Sequence, residues 1–437
     1  MSNKFNRSIN HLASNVSEGE VVEAIQAVEN LFSSEWLTEK KEHRLQILWQ
    51  RRDHLSTSEL YALGKSILNL SLNNRKWLES NAKTIKKNAS SAHGFLTEII
   101  NIGSLSVKEG VIKPYPDSYK TYDYAINYPS GYEFKVSVKN FDISDHERKF
   151  HQMGSMIRET FTNMLKRRSM SGQLMVVIEN DLLTEERVRS ICMFVCFRME
   201  SYGEYVQESG LVQIFFNRIS EYSPNQLVSS SDKVIIIAKQ HYNEQRNIIS
   251  KVDGANADLL KEKEDVKALK HLNIRLGETT DIDVIHNHLE KIAENQVLCG
   301  FDTYHIYQPT VVTDLEKDTS TICTTVRYGS RRHYDLESNI EEKLKNVSII
   351  TNDIHVGSIS TQKLPPILCD GRAENSVKFM NHYCFQKGDI YLKAKRVRGG
   401  YEGPLSKVAP GVLTHLVISN MILSPVVYAS SERLLII

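Results

Sequence analysis

The sequence predicts an α/β protein with three regions, and three observations lead to this fold class. Residues 1–88 carry helical apolar spacing, as in GEVVEAIQAVENLF, which indicates a helical N-terminal region. Residues 89–240 alternate between helix and strand patterns, so we expect a central α/β domain there. Residues 241–437 are rich in short strand patterns with intervening helices, and predict a C-terminal α+β domain.

Length and composition narrow the class of protein. A chain of 437 residues exceeds what one ordinary hydrophobic core organises. Its 41% hydrophobic and 24% charged residues are typical of globular proteins, and the net charge of +1 provides no overall attraction to nucleic acid. The start is polar, the six cysteines are scattered, and no apolar run has the length of a membrane span. We therefore expect a cytoplasmic protein with no membrane partner.

The elements of the first two regions follow one another clearly. In residues 1–88, Ser56 with Glu59 forms a capping-box pattern that predicts a helix start. A helix ending near Gly103 opens the central region, followed by a short strand, GVIKPY, and a hairpin, TYDYAINYPSGYEFKVSVKNF. A long helix begins after Ser144, and the apolar strand GQLMVVIEN follows it. A helix capped by Thr184 and two more apolar strands complete the order, which predicts one mixed sheet covered by helices.

The hairpin has one apolar and one polar face. Gly131 suits the left-handed position of a three-residue loop, which pairs Tyr128 with Tyr132. Counting from that pair sets Asp123 opposite Ser137, and directly opposed residues share a face. The predicted polar face therefore contains Asp123, Glu133, Lys135, Ser137 and Lys139.

A solvated sheet face is the plain alternative for such a pattern, because mixed charges are ordinary there. Two neighbouring features favour a functional site instead. Glu98 lies on the preceding helix among apolar residues. The helix after the hairpin is basic, and we expect it to bind the nucleic-acid backbone without reading sequence; the residues concerned are Arg148, Lys149, Lys166, Arg167 and Arg168.

These residue types support phosphodiester chemistry. A pair of carboxylates holds Mg²⁺ through oxygen ligands and leaves waters in place. The metal acidifies a bound water and polarises a phosphoryl oxygen, while a nearby lysine stabilises the developing charge.

The hairpin and its flanking helices resemble the PD-(D/E)XK nuclease superfamily, which includes many restriction endonucleases. That family has an αβββαβ core, with an acid on the first helix, an aspartate on the second strand and acid-x-lysine on the third. The resemblance implies a restriction-endonuclease-like core within residues 89–240, with Mg²⁺ or Mn²⁺ held by Glu98, Asp123 and Glu133. It also implies that the catalytic residues are Asp123, Glu133, Lys135 and Lys139.

Two acid–lysine frames stay open. The first, Glu133 with Lys135, keeps a second carboxylate and is preferred for that reason. However, Asp123 is opposite Ser137, and Glu133 lies four residues from Ser137, roughly 13 Å along a strand. At that distance Asp123 and Glu133 share one metal ion only if the strand bulges or the loop is longer. The second frame, Ser137 with Lys139, is level with Asp123 but has serine in place of the acid.

The residues and the resemblance together predict a metal-dependent DNA endonuclease, and the resemblance implies a use in bacterial restriction or phage defence. Its partners would be DNA and either a second copy or a further subunit of a defence complex. The alternative is a non-catalytic nucleic-acid-binding or interaction protein with a degenerate nuclease fold, which the serine of the second frame would favour.

Overall fold

A computed structural model describes the chain from residue 7 to residue 425 with gaps. The described residues are 7, 16–39, 43–52, 54–89, 92–106, 111–114, 121–168, 170–178, 181–198, 203–206, 212–218, 233–262, 267–277, 280–295, 297–314, 319–331, 350–351, 358–360, 368–370, 382–386, 395–397, 400–402, 416–418 and 421–425. Within them the protein is mixed α/β and contains ten helices, which confirms the predicted class.

The described helices are α1 (Glu18–Phe32), α2 (Ser34–Thr38), α3 (Arg44–Gln50), α4 (His54–Ser71), α5 (Arg75–Lys87), α6 (Ala92–Gly103), α7 (Asp145–Arg168), α8 (Glu185–Arg198), α9 (Asn243–Lys261) and α10 (Ile282–Glu294). The described strands are β1 (Leu105–Ser106), β2 (Val111–Pro114), β3 (Tyr124–Asn127), β4 (Glu133–Asn140), β5 (Met170–Ile178), β6 (Gly203–Val206), β7 (Val212–Arg218), β8 (Lys233–Lys239), β9 (Ala268–Arg275), β10 (Thr303–Asp314), β11 (Thr319–Ser330), β12 (Ile350–Thr351), β13 (Ser358–Ser360), β14 (Leu368–Asp370), β15 (His382–Gln386), β16 (Lys395–Val397), β17 (Gly400–Glu402), β18 (Leu416–Ile418) and β19 (Met421–Pro425).

Helices α1 to α5 form the N-terminal part. A capping box starts α1, because the Ser17 hydroxyl accepts from the Glu20 amide and the Glu20 carboxylate accepts from the Ser17 amide. The predicted helix start at Ser56 is wrong, since α4 begins at His54. Ser56 and Glu59 lie buried in its first turns, where packing against other helices overrides the local capping signal.

A seven-stranded mixed sheet, the large sheet, organises the middle of the chain. Its strand order is β13-β11-β10-β9-β4-β3-β2. The hairpin strands β3 and β4 pair antiparallel, whereas β9 lies parallel to both β4 and β10. The chain leaves this sheet at the end of β4 and returns to it at β9, after more than one hundred residues.

A second sheet, of five strands, forms within that excursion. Its order is β15-β8-β5-β7-β6, and β5 and β8 are its parallel pair. The prediction of a single sheet containing both the hairpin and these strands is therefore wrong. An apolar strand such as β5 is buried in either case, and its pattern does not say which sheet it joins.

Predicted helix caps around the second sheet are confirmed. The Glu147 amide donates to the Ser144 hydroxyl at the start of α7, and the Arg187 amide donates to Thr184 at the start of α8. Gly154 of α7 lies against β15, where an added Cβ would fall 2.6 Å from the Phe385 ring. Only glycine allows this close approach.

Three buried clusters hold these layers together. The first joins α1 to α6 with the apolar face of the hairpin, where Phe134 and Val136 are buried. The second lies between α7, α8 and the five-stranded sheet. The third packs α9 and α10 on the opposite face of the large sheet. The predicted boundaries at residues 88 and 240 stay predictions. The first cluster contains residues from both sides of position 88, and β4 pairs with β9 across position 240.

Candidate functional site

The hairpin adopts the predicted register. Its three-residue loop closes where the Tyr128 amide donates to the Tyr132 carbonyl at 2.9 Å, and Gly131 has a φ of 81°. Tyr124 pairs with Val136 and Asn127 with Glu133, so the same count sets Asp123 level with Ser137. The register prediction is confirmed, and it separates the two acid–lysine frames along β4.

One end of the polar face contains Asp123, Ser137 and Lys139, here called the Asp123 cluster. The Asp123 Oδ2 accepts from the Val138 amide at 2.6 Å and lies 3.5 Å from the Ser137 hydroxyl. It is also 3.8 Å from the Lys139 Nζ. The Lys139 side chain is 31% exposed and that of Asp123 18%, so an acid and a lysine meet at a surface that a ligand can reach.

The other end contains Glu133, Lys135 and Glu262, here called the Lys135 cluster. The Lys135 Nζ lies 2.7 Å from Glu262 and 3.6 Å from Glu133, and its side chain is only 14% exposed. Tyr122 presents its ring 5.1 Å from the same ammonium group. Thr121 donates to Glu262 as well. The ammonium group of Lys135 is therefore occupied by contacts within the protein.

Electrostatics agree with this geometry. Burial alone would lower the pKa of Lys135, but the hydrogen bond to Glu262 and the charge of Glu133 raise it above its usual value. Burial opposes ionisation of Glu262, yet the bonds from Lys135 and Thr121 bring the pKa of this carboxyl below its usual value. Both directions mean that the charged forms are favoured. Lys135 therefore keeps its proton and is a poor proton acceptor.

Helix α9 covers the end of the polar face that contains the Lys135 cluster. Its C-terminal turn lies over the polar face, and the buried Lys270 of β9 donates to the Leu259 carbonyl at 3.1 Å and the Glu262 carbonyl at 2.8 Å. Cations stabilise the C-terminal end of a helix through its unpaired carbonyls and dipole. Lys135 and Lys270 together anchor α9 to the sheet.

Glu98 belongs to α6, which packs on the apolar face of the hairpin, and it is half-buried. Burial raises the pKa of Tyr124, and the negative charges of Asp123 and Glu98 raise it further. The register separates Asp123 from Glu133 along the sheet, and Glu98 comes from a helix on the apolar face.

In the part of the chain that the structure describes, no group of three or more His, Cys, Asp or Glu residues is arranged to hold a metal ion. Mg²⁺ in phosphate-processing sites needs only one or two carboxylates, because waters and substrate phosphates complete its coordination. Asp123 fits that smallest requirement, with its carboxylate beside Lys139.

The predicted basic residues lie at two ends of α7. Arg148 and Lys149 are exposed in its first turns, where Arg148 pairs with Asp145. Lys166, Arg167 and Arg168 are exposed at its last turn. The two groups are separated by roughly 25 Å along the helix, so they would contact different parts of a nucleic acid.

Sequence reasoning missed a buried polar network at the end of β4. The Asp142 carboxylate lies 3.0 Å from His93 of α6 and 2.8 Å from Arg44 of α3. Burial lowers the pKa of His93 to about 3, and the contacts of Asp142 with His93 and Arg44 lower its pKa against the effect of burial. These residues are distant in sequence and follow no motif, so no pattern could have linked them.

Comparisons with known proteins do not identify a family. A scan against models of protein families finds no match for this chain, and a search of curated proteins finds no match either. Among the described helices, none combines the length and apolar character needed to cross a membrane.

Proposed function

We propose that this protein is a metal-dependent nuclease that hydrolyses DNA phosphodiester bonds at the Asp123 cluster. The observation that carries the proposal is the order of elements in the large sheet. In chain order, the large sheet and the helices that pack on it supply α6, β2, β3, β4, α9 and β9. This is the αβββαβ order of the nuclease family that the hairpin and its flanking helices resemble. The core then uses α9 and β9, and the second sheet is an insertion between β4 and α9.

Positions within that core support the proposal. Asp123 directly precedes the second of its strands, and Lys139 lies on the third, 3.8 Å away. Asp123 is the residue that would hold Mg²⁺ or Mn²⁺, and the ion when bound supplies an acidified water and polarises the phosphoryl oxygen. Lys139 would stabilise negative charge on the phosphate. The exposed residues of α7 would hold the nucleic-acid backbone.

A cleavage panel tests this proposal. Plasmid, linear and single-stranded DNA are incubated with Mg²⁺, Mn²⁺ or EDTA, using the wild type, Asp123→Asn and a control, Asp258→Asn, on the exposed surface of α9. We expect cleavage only with metal, its loss in Asp123→Asn, and no change in the control. Cleavage by Asp123→Asn at the wild-type rate would reject the Asp123 cluster as the site.

A second candidate is a nucleic-acid-binding protein that has lost catalysis. The observation in its favour is that Ser137 stands where the family has an acid, while the Val138 amide already occupies the Asp123 Oδ2 at 2.6 Å. DNA binding with a normal salt dependence but without cleavage in either metal would identify this candidate. This outcome would reject catalysis but would not reject the αβββαβ arrangement of the proposed core.

A further inference from the structure

A cavity of about 660 Å³ lies between α7 and the start of α8, outside the Asp123 cluster. Four of the side chains that line it are rings: His146, Phe150, His241 and Tyr383. Its volume is in the range of small-molecule sites, which are mostly apolar with a few polar groups. We call it the ring cavity.

Its rings continue into an exposed stack. His146 and His241 lie parallel, with centroids 3.7 Å apart and an interplanar angle of 7°. Tyr242 stacks on His241 with centroids 4.4 Å apart, although its side chain is 78% exposed. Burial and the neighbouring His146 lower the pKa of His241, which favours the neutral ring. The stack therefore ends in a large aromatic surface in contact with water.

The charged side chains that line the cavity are mostly cations, and the carboxylate of Glu244 lies behind its wall, where it accepts from Tyr383. Lys149, Arg189 and Lys239 line it, against one acid, Glu185. Arg189 lies 3.9 Å from Glu185, an exposed contact that contributes little. Within the described residues, the structure gives neither Lys149 nor Lys239 a carboxylate partner for its ammonium group. Two lysines beside a stack of rings suit a ligand that has both negative charge and a flat face.

We propose that the ring cavity and Tyr242 bind a nucleotide unit, with its base stacked on the rings and its phosphate at Lys149 and Lys239. Aromatic rings within a positively charged groove are the usual means of binding single-stranded nucleic acid, because every base has a face to stack. The carboxylate of a fatty acid would pair with the lysines, but a fatty acid has no flat ring to stack on the aromatic side chains. The nucleotide can come from a single strand or from a free nucleoside monophosphate.

A second cavity, of about 510 Å³, shares His146 and Tyr383 with the ring cavity and is also lined by Asn140, the residue after Lys139. A strand bound at the ring cavity would serve the proposed nuclease as a substrate-holding contact. The inference rests on the proposed function for this role, but its test uses binding without metal and is independent of cleavage.

The test measures binding of a fluorescein-labelled decathymidylate in EDTA at about 0.05 M salt, where phosphate contacts are strong. Tyr242→Ala should weaken binding about tenfold through the loss of base stacking, whereas Tyr242→Phe should bind normally. The matched control is Tyr328→Ala, which removes another exposed tyrosine, 70% exposed, from β11. Lys149→Ala with Lys239→Ala should weaken binding and flatten its salt dependence, unlike Lys76→Ala with Lys83→Ala on α5.

An abasic oligonucleotide of equal length separates stacking from charge. The wild type should bind it about tenfold more weakly than decathymidylate, and Tyr242→Ala should not weaken it further. Competition by adenosine monophosphate, but not by inorganic phosphate, would identify a free nucleotide as a ligand, and competition by decathymidylate alone would identify the strand. Equal binding of both oligonucleotides, or normal binding by Tyr242→Ala, would overturn the inference. Tyr242-dependent binding without cleavage would retain it and reject the nuclease.

Discussion

The two ends of the polar face of β4 carry the same residue types but differ in their surroundings. In the Lys135 cluster, Lys135 bonds to Glu262 at 2.7 Å and has a side chain that is 14% exposed. In the Asp123 cluster, Lys139 lies 3.8 Å from Asp123 and is 31% exposed. Helix α9 ends over the first cluster and leaves the second accessible.

This difference shows that an acid-x-lysine pattern identifies a strand but does not say which of its lysines is accessible to a ligand. A lysine that is already bound between two carboxylates has little capacity to bind a phosphate. A lysine at an accessible edge beside one acid retains that capacity, because a phosphate can displace the weak contact. We therefore propose that the Lys135 cluster contributes to stability and that the Asp123 cluster is the catalytic end.

The largest expected effect is on the rate of cleavage. Lys139→Ala should lower the rate about 10²–10³-fold, since one stabilising charge is removed from the transition state. Lys135→Ala should cleave at nearly the wild-type rate under conditions where it is folded. Single-turnover kinetics measures both, with Lys113→Ala on the neighbouring strand β2 as the control. The reverse ranking would assign the active frame to Glu133 and Lys135.

Stability should show the opposite order. Lys135→Met removes a charged hydrogen bond and leaves Glu262 beside the sheet without it, so we expect a loss of about 2 kcal/mol in the free energy of unfolding. Lys139→Met should lose less than about 0.5 kcal/mol, because its contact is long and exposed. Urea unfolding followed by circular dichroism compares the two. Equal losses of unfolding free energy in the two variants would contradict the conclusion that Lys135 is enclosed by contacts and Lys139 is not.

The stability difference between the wild type and Lys135→Met should depend on pH. Glu262 has a folded pKa below the usual 4.5, so its contribution is present above about 4.5 and is lost as pH falls through the lower folded value. Lys135 has a folded pKa above the usual 10.5, so its contribution is lost only above that value. Unfolding measured between pH 3 and 9 should give a plateau that declines at the acidic end. A difference that stays constant to pH 3 would mean that Glu262 is not the partner.

The smallest effect is expected for Glu133→Gln. Glu133 lies 3.6 Å from Lys135 and its side chain is 33% exposed, so its loss should change the free energy of unfolding by no more than about 0.5 kcal/mol. Cleavage should also be unchanged, because the register sets Glu133 opposite Asn127 and away from Asp123. Loss of metal-dependent cleavage in this variant would restore Glu133 as a metal ligand.

The sequence by itself determined the hairpin and most of the helices and strands around it. Gly131 defined the loop, the loop defined the pairs, and the alternation of Phe134 and Val136 with charged residues defined the faces. These signals are local: each depends on residues within one turn or one strand, where backbone geometry allows few alternatives.

Only the tertiary structure decided which elements surround that hairpin. β4 pairs with β9 rather than with β5, and Lys135 meets Glu262 although 127 residues separate them. An apolar strand satisfies its hydrogen bonds in any sheet, and a glutamate in a polar segment has no pattern that names its partner. The sequence could therefore predict the two acid–lysine pairs, but which of the two lysines is enclosed depended on where α9 ends.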